Sequence, residues 1–306
     1  MNQKSFTLIE ILVVIVIVGI LSAFIIVSMA GVSEKAAIAK GQAFSNSLKN
    51  SLLMNLVSEW KLDDASGTTI QDQWGTNNGT WSGAGGGAYT SPSWRTSSEC
   101  VSNGCLAFDG TDDYVNFGQV AQYNNLAEFT LEAWVKFDDL HHVSTIINKG
   151  PEVSNQHFWW GLFSGPANPR MMLEMGGETS WSNFQGTTGL GWNINNWYHL
   201  AVVFNNTEKT FKHYRNGNPA GNGSVSSYNL NSGEYNIRLG VYSSASHYLK
   251  GFLDNIMIYN QAIPTSQVRQ SYFMGLNNLY KNGGLTKIEY AQRLTELRDD
   301  LAQANQ

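Results

Sequence analysis

The pattern of apolar and polar positions divides the chain into three regimes. From Phe6 to Met29 the residues are almost all aliphatic or small, with Glu10 the one charge in that run. At about 1.5 Å per residue this stretch makes a helix of roughly 36 Å, enough to cross a hydrocarbon core of about 30 Å. From Gly31 to about Leu56 the charges Glu34, Lys35, Lys40 and Lys49 interleave with Ala36, Ala37, Ile38, Ala39, Phe44, Leu48, Leu52 and Leu53. Apolar positions 44, 48 and 52 keep a helical spacing, which predicts an amphipathic continuation of the same helix. With no Pro and no Gly-rich linker, it would carry the downstream domain rather rigidly; Gly19 and Gly31 are its weak points.

Beyond Val57 the period changes to two. Phe129, Leu131, Ala133, Val135 and Phe137 alternate with Thr130, Glu132, Trp134 and Lys136, as on a strand with one apolar face. Short strand patterns recur at 144–148, 158–163, 170–174, 198–205, 211–215, 237–242 and 252–259, and Asn216-Gly217 fits a tight hairpin turn. Many strands with frequent Gly and Asn turns predict an antiparallel sandwich or jelly roll. The tail returns to helix. Pro264-Thr265-Ser266 can start one through Val268 to Met274, and Asn282-Gly283-Gly284 breaks the chain. Leu285, Ile288, Ala291, Leu294, Leu297 and Leu301 then recur at three and four, with Thr286 and Glu289 placed as a capping box. That stripe favours docking on the protein's own body over an intermolecular coiled coil.

The length of 306 residues fits one anchor helix plus a globular domain of roughly 200 residues. A net charge of −5 with no basic cluster argues against nucleic acid as a partner of the head. A secretory signal peptide fits the first run badly, because its apolar region is about 7 to 15 residues and ends at small residues. Glu10 is the anomaly. A carboxylate costs about 2.5 to 3.5 kcal/mol at the centre of a membrane helix, less near the interface, so it needs a partner.

Phe6-Thr7-Leu8-Ile9-Glu10, behind a short leader with Lys4 and ahead of an aliphatic helix, resembles the N-terminus of type IV pilins and pseudopilins. The resemblance implies cleavage by a prepilin peptidase between Ser5 and Phe6 and methylation of the new amino terminus. It also implies that Glu10 meets the amine of a neighbouring subunit, since an ammonium makes a carboxylate tolerable among packed helices. Two positions depart from the family: Ser5 stands where glycine is usual, and the region around Val27 lacks the helix-breaking proline many members carry. The implied partners are copies of the chain or other pilins in a helical filament. The implied location is the cytoplasmic (inner) membrane, single-pass with the N-terminus inside, and after assembly an extracellular pilus or periplasmic pseudopilus. With the head outside the membrane, Cys100 and Cys105 are expected to form a local disulfide pinning the loop before the next strand. Neither a C-x-x-C redox spacing nor further metal ligands accompany them.

A second resemblance covers about 57–272. Trp60-Lys61-Leu62-Asp63, Cys105-Leu106-Ala107-Phe108-Asp109-Gly110, Asp113-Tyr114-Val115, Trp197-Tyr198-His199-Leu200, Tyr214-Arg215-Asn216-Gly217 and Gly251-Phe252-Leu253-Asp254 occur in the order found in laminin G-like, concanavalin A-like jelly rolls. The expected fold is mainly β: a pilin-type helix, an antiparallel jelly-roll sandwich and a C-terminal helix. The expected segments are a leader 1–5, a helix 6–56 spanning the membrane at 6–29, a head 57–272 and a helical tail 273–306. Such modules often bind glycans or proteins and often hold calcium. The ligands the resemblance implies are Asp254 first, with Asp72, Asn77 and Asp109; the alternative is that these residues cap turns. Trp60, Trp134 and Trp197 are expected in the core. Trp159 and Trp160 point to opposite strand faces, leaving Trp159 with Trp181 and Trp192 as candidates for stacking on a glycan or partner, against the alternative of loop packing.

Glycosidases share the superfold, and they need two carboxylates across the scissile bond. Glu132 is isolated in its strand, and Asp63-Asp64 and Asp112-Asp113 are sequential pairs whose members point apart if extended. His141-His142 lies in a turn-like stretch, while His199 and His213 sit in strand patterns, so no nucleophile gains a base and no catalysis is expected. The two resemblances together imply a structural subunit of a type IV pilus-like filament displaying a lectin-like head for adhesion or glycan/protein recognition. The alternatives are a pseudopilin of a type II secretion or DNA-uptake apparatus, or a membrane-anchored lectin that does not polymerise.

Overall fold

The computed structural model describes residues 55–82, 93–150, 158–164, 168–176, 181–225, 235–242 and 247–303. The expected leader, Ser5, Phe6, Glu10 and the membrane span lie outside these residues. Among the described residues no helix is long and apolar enough to cross a membrane.

Sixteen strands are described, in chain order β1 (Leu56–Trp60), β2 (Thr69–Ile70), β3 (Gly79–Ser82), β4 (Ser93–Thr96), β5 (Gly104–Asp109), β6 (Tyr114–Gln119), β7 (Glu128–Phe137) and β8 (Ser144–Lys149). They continue with β9 (Phe158–Phe163), β10 (Arg170–Gly176), β11 (Trp181–Gln185), β12 (Trp197–Asn205), β13 (Thr210–Arg215), β14 (Asn218–Ser224), β15 (Asn236–Leu239) and β16 (Lys250–Tyr259). Two helices close the fold, α1 (Thr265–Lys281) and α2 (Lys287–Gln303). One sheet runs β14-β13-β12-β7-β16-β5-β4, with β1 also on β16; the second runs β11-β10-β9-β8-β15-β6-β3-β2. β16 pairs β7 along one edge, while β5 (at Lys250–Leu253) and β1 (at Ile256–Tyr259) share the other. This is the expected antiparallel jelly roll. The hairpin between β13 and β14 turns at Asn216 and Gly217, whose φ values of 54° and 76° are the left-handed pair such a turn requires.

The period-two pattern of β7 sets the layers. Phe129, Leu131, Ala133, Val135 and Phe137 enter the core between the sheets with Tyr198, Leu200, Val202 and Phe204 of β12. The opposite face is not left to water. Thr130, Glu132 and Trp134 are also buried, because α1 and α2 cover that side and form a second core with Trp134, Trp197, Tyr272, Leu276, Leu279 and Leu297. Both helical stretches expected in the tail are present, and the first continues past the expected Met274 to Lys281. Asn282 ends α1, followed by Gly283 at φ 80°. The capping box of α2 forms as expected: Thr286 N donates to Glu289 Oε2 and Glu289 N to Thr286 Oγ1. Leu294 and Leu297 dock on the second core while Ile288 stays exposed, so the stripe is used within the chain.

Helix α1 approaches the sheet at Gly275, where an added Cβ would stand 2.4 Å from Trp134 Nε1. The indole cannot yield readily, since Tyr272 stacks on it at 5.7 Å and the His199 ring lies 5.5 Å away. Alanine gains about 1 kcal/mol of helix propensity over glycine, but overpacking costs about 1 to 3 kcal/mol. Gly275→Ala is therefore expected to destabilise the head by up to about 2 kcal/mol, read as a lower urea midpoint at unchanged slope; a higher midpoint would refute this packing.

Candidate functional site

The residues expected to bind calcium do not converge. Asp109 pairs across the sheet with Lys250, four residues from Asp254 along β16, which at about 3.3 Å per residue separates the two by roughly 13 Å. A register shift comes after Asp254, with Asn255 at φ 48°. There the buried carboxylate accepts bonds from Val101 N (2.8 Å) and Ser102 N (3.0 Å) at Oδ2 and from Ser102 Oγ (2.9 Å) at Oδ1. Asp63 grips the same loop through Ser102 Oγ, Asn103 Nδ2 and Gly104 N. Together they hold the loop that the Cys100–Cys105 disulfide closes, the pairing expected of these cysteines. Burial raises the Asp254 carboxyl well above the usual range, and the bonds from Ser102 and Val101 offset part of this. Asp72 is likewise a loop cap, accepting from Glu59 N, Trp74 N and Gly75 N at Oδ1 and from Asn77 N at Oδ2. Asn77 donates its side-chain amide to Ser58 Oγ. Asp254 and Asp72 thus cap loops, and Asn77 donates from both its backbone and its side chain within the Asp72 loop.

Asp109 keeps different company. Gly110, at φ 84°, folds the chain back between β5 and β6, so that carboxylate oxygens of Asp109, Asp112 and Asp113 come within 4.8 Å of one another. The expectation that Asp112 and Asp113 point apart assumed an extended chain, and the turn overrides it. The signal was the glycine after Asp109, which permits the left-handed residue.

The aromatic candidates also separate. Trp159 is buried at 2% exposure and donates its indole N–H to Thr145 Oγ1. It packs with Met172 and Tyr242, so it offers no stacking platform. Trp160, on the other strand face, enters the inter-sheet core. Trp181 opens β11 opposite Gly176, and its side chain lies outside what is described. Trp192 is half-buried against Phe137 and Tyr198. The Arg215 guanidinium stands 5.0 Å from its ring and 5.6 Å from that of Tyr198, donating to the carbonyls of Leu190 and Gly191. Beside this stack opens a cleft of about 440 Å³ lined by Leu190, Arg215, Asn216, Asn218, Pro219, Ala220 and Glu296. Arg215 was not singled out from the sequence, because β13, the loop before β12 and α2 meet only in the folded chain.

Glu132 is not isolated. His199 Nε2 lies 4.0 Å from its Oε1, Tyr259 donates to its Oε2 at 3.4 Å, and Glu132 and His199 are both fully buried. Burial drives the Glu132 carboxyl from 4.5 up to about 8, partly offset by bonds from Ser271 and Tyr259. It drives the His199 imidazole from 6.5 down to about 3. Both groups are therefore neutral near pH 7, and the contact is not an ion pair despite its distance. Sealed beneath α1, the pair is structural.

Two packed antiparallel sheets with these loop clamps define a lectin-type jelly-roll module. The chain belongs to the concanavalin A-like lectin/glucanases superfamily, whose family profile matches residues 109–269. A second profile, the prokaryotic N-terminal methylation motif, matches residues 1–26, and that motif implies processing by a prepilin peptidase. A search of curated proteins finds no match. Among solved structures, domain 4 of AbnA, a GH43 extracellular arabinanase of Geobacillus stearothermophilus solved with arabinotriose, is 19% identical. The TM-score is 0.54, with 70% of this chain and 97% of that one covered. The binding domain of Paraclostridial Mosquitocidal Protein 1 is 15% identical at TM-score 0.55, covering 74% and 53%. A botulinum neurotoxin type C structure, described by its dependence on two ganglioside molecules for cell entry, is 15% identical at TM-score 0.52, again covering 74% and 53%. The chain thus spans about half the length of the last two structures, and identities this low establish the fold alone.

Glu132 gives a pH signature. Its folded-state value is raised, so between about 4.5 and about 8 the folded chain holds a proton that the unfolded chain has released. Its contribution is therefore complete below about 4.5 and lost as pH rises toward about 8. Denaturation of the unmodified protein and Glu132→Gln across this range should show the unmodified protein losing stability relative to the variant by a few kcal/mol, with no further divergence above about pH 8. Parallel curves would refute the neutral buried pair.

Proposed function

We propose that the chain is a structural subunit of a type IV pilus-like filament whose head recognises a glycan at a host or partner surface. The single observation carrying this reading is the union, in one chain, of a methylation motif over 1–26 and a lectin-family domain over 109–269. In this reading the peptidase cuts between Ser5 and Phe6, the processed chain leaves the cytoplasmic membrane for the filament, and Glu10 pairs with the amine of the next subunit. A pairing of this kind relieves the cost of a carboxylate among apolar helices. The relatives support a sugar ligand by analogy, one being a structure with arabinotriose and another described by its use of gangliosides. On this chain the cleft beside Trp192 suits such a ligand better than the buried Trp159. Asn216, Asn218, Arg215 and Glu296 supply polar groups around it, while Leu190 and Pro219 supply apolar surface.

Co-expression with a prepilin peptidase, followed by intact mass and N-terminal sequencing, should give a methylated terminus at Phe6. Glu10→Ala should be processed normally and be missing from sheared filaments. A Met1 terminus in the native host would refute the pilin pathway. For the head, Asn218→Ala combined with Glu296→Ala should lower retention on a glycan array by roughly tenfold, the equivalent of about 1.4 kcal/mol; unchanged retention would remove the cleft from the reading.

A further inference from the structure

We propose that the cleft beside Trp192 takes an uncharged saccharide and turns away carboxylate-bearing ones, with Glu296 setting the difference. The inference rests on the reading of this cleft as the glycan site and adds to it the class of sugar. Among the described residues lining the cleft, Arg215 is the one cation and Glu296 the one anion. They are not equally available. Arg215 Nη1 donates to the Gly191 carbonyl at 3.0 Å and Nη2 to the Leu190 carbonyl at 2.6 Å, and the guanidinium lies against the rings of Trp192 and Tyr198. An arginine recognises a carboxylate through two parallel N–H groups. Each terminal nitrogen is here already held by a carbonyl of the protein, so that fork is engaged before a ligand arrives. Arg293, one turn before Glu296 on α2, is committed likewise, donating from Nη1 to the Trp197 carbonyl at 2.9 Å.

The groups left for a ligand are mostly acceptors. Glu296 is exposed. Asn218 keeps a side-chain oxygen that is buried and without a partner, and rotation of its amide would turn that oxygen toward the cleft. Asn216 uses its own oxygen on His199 N at 3.1 Å, which leaves its amide nitrogen as a donor. A sugar hydroxyl both donates and accepts, so neighbouring hydroxyls can serve a carboxylate, an amide oxygen and an amide nitrogen together. A sugar carboxylate only accepts, and it would enter beside a like charge, the arrangement by which interfaces suppress wrong partners. Burial lowers the Arg215 guanidinium, and Tyr198 and Glu296 oppose that shift, so the Glu296 charge is within electrostatic reach of the cleft wall. Glu296 lies beyond residues 109–269, the part matched by the lectin profile. The choice of sugar is thus made by a helix added to the family domain.

The full chain, purified in detergent, is tested on an array of matched pairs: neutral glycans and their sialic- or glucuronic-acid-terminated counterparts. At low salt the neutral member should be retained about fivefold more strongly, and the gap should shrink at about 0.5 M salt, which screens the repulsion. Glu296→Gln keeps the size and one acceptor oxygen while removing the charge. It should raise retention of the acidic members by roughly threefold and make the ratio insensitive to salt. Acidic members retained as strongly as neutral ones, or a ratio unmoved by Glu296→Gln or by salt, overturns the inference while leaving the cleft a glycan site. Neutral glycans retained undiminished by Asn218→Ala combined with Glu296→Ala, or no glycan of either class retained, overturns the reading of the cleft and this inference with it.

Discussion

Because alternate residues of β7 point away from the space between the sheets, Thr130, Glu132 and Trp134 would face water if nothing lay across them. Helix α1 covers them, and most of the outer architecture depends on that contact. Trp134 meets the helix at Gly275, the one position where the backbone can come so close. Tyr272 stacks beside it, and Leu276 and Leu279 extend the same apolar layer. Glu132 and His199 are sealed in the same layer, where exclusion of water leaves both uncharged. Chemistry that looks catalytic in composition is thereby spent on holding a helix.

The acidic residues differ in how many donors reach them. Asp254 and Asp72 each accept two or more backbone N–H bonds, and Asp63 accepts from Gly104 N, Asn103 Nδ2 and Ser102 Oγ, so the loops they clamp are not left with unmatched donors. The disulfide between Cys100 and Cys105 closes the loop that Asp254 and Asp63 hold, so covalent and polar restraints act on the same few residues. At the β5–β6 turn the balance is reversed, with carboxylate oxygens outnumbering donors.

The tryptophans show a similar division. Trp159 and Trp160 occupy opposite faces of β9, and both faces are covered, one by the partner sheet and the other by Met172 and Tyr242. Trp192 instead lies at the edge of the core, fixed by Arg215 and Tyr198, next to a polar cleft. An aromatic held at a rim in this way has lost its rotamer freedom before any ligand arrives, which lowers the entropic cost of binding.

The sequence by itself determined the elements. Strand periods, the Asn216-Gly217 turn, the Thr286–Glu289 cap and the disulfide are local or nearly local, and the described structure contains each of them. It also carried the methylation motif, a linear signal that needs no fold to be read. Only the tertiary structure decided which acids meet and which aromatics are covered. The residue types of Asp72, Asp109 and Asp254 make them candidates for one site, yet register sets Asp109, on β5, opposite Lys250 and four residues away from Asp254 on β16, while the left-handed Gly110 gathers Asp109 with its sequence neighbours. Side-chain partners across strands depend on register and on what packs above the sheet, and neither is encoded in the spacing of one strand.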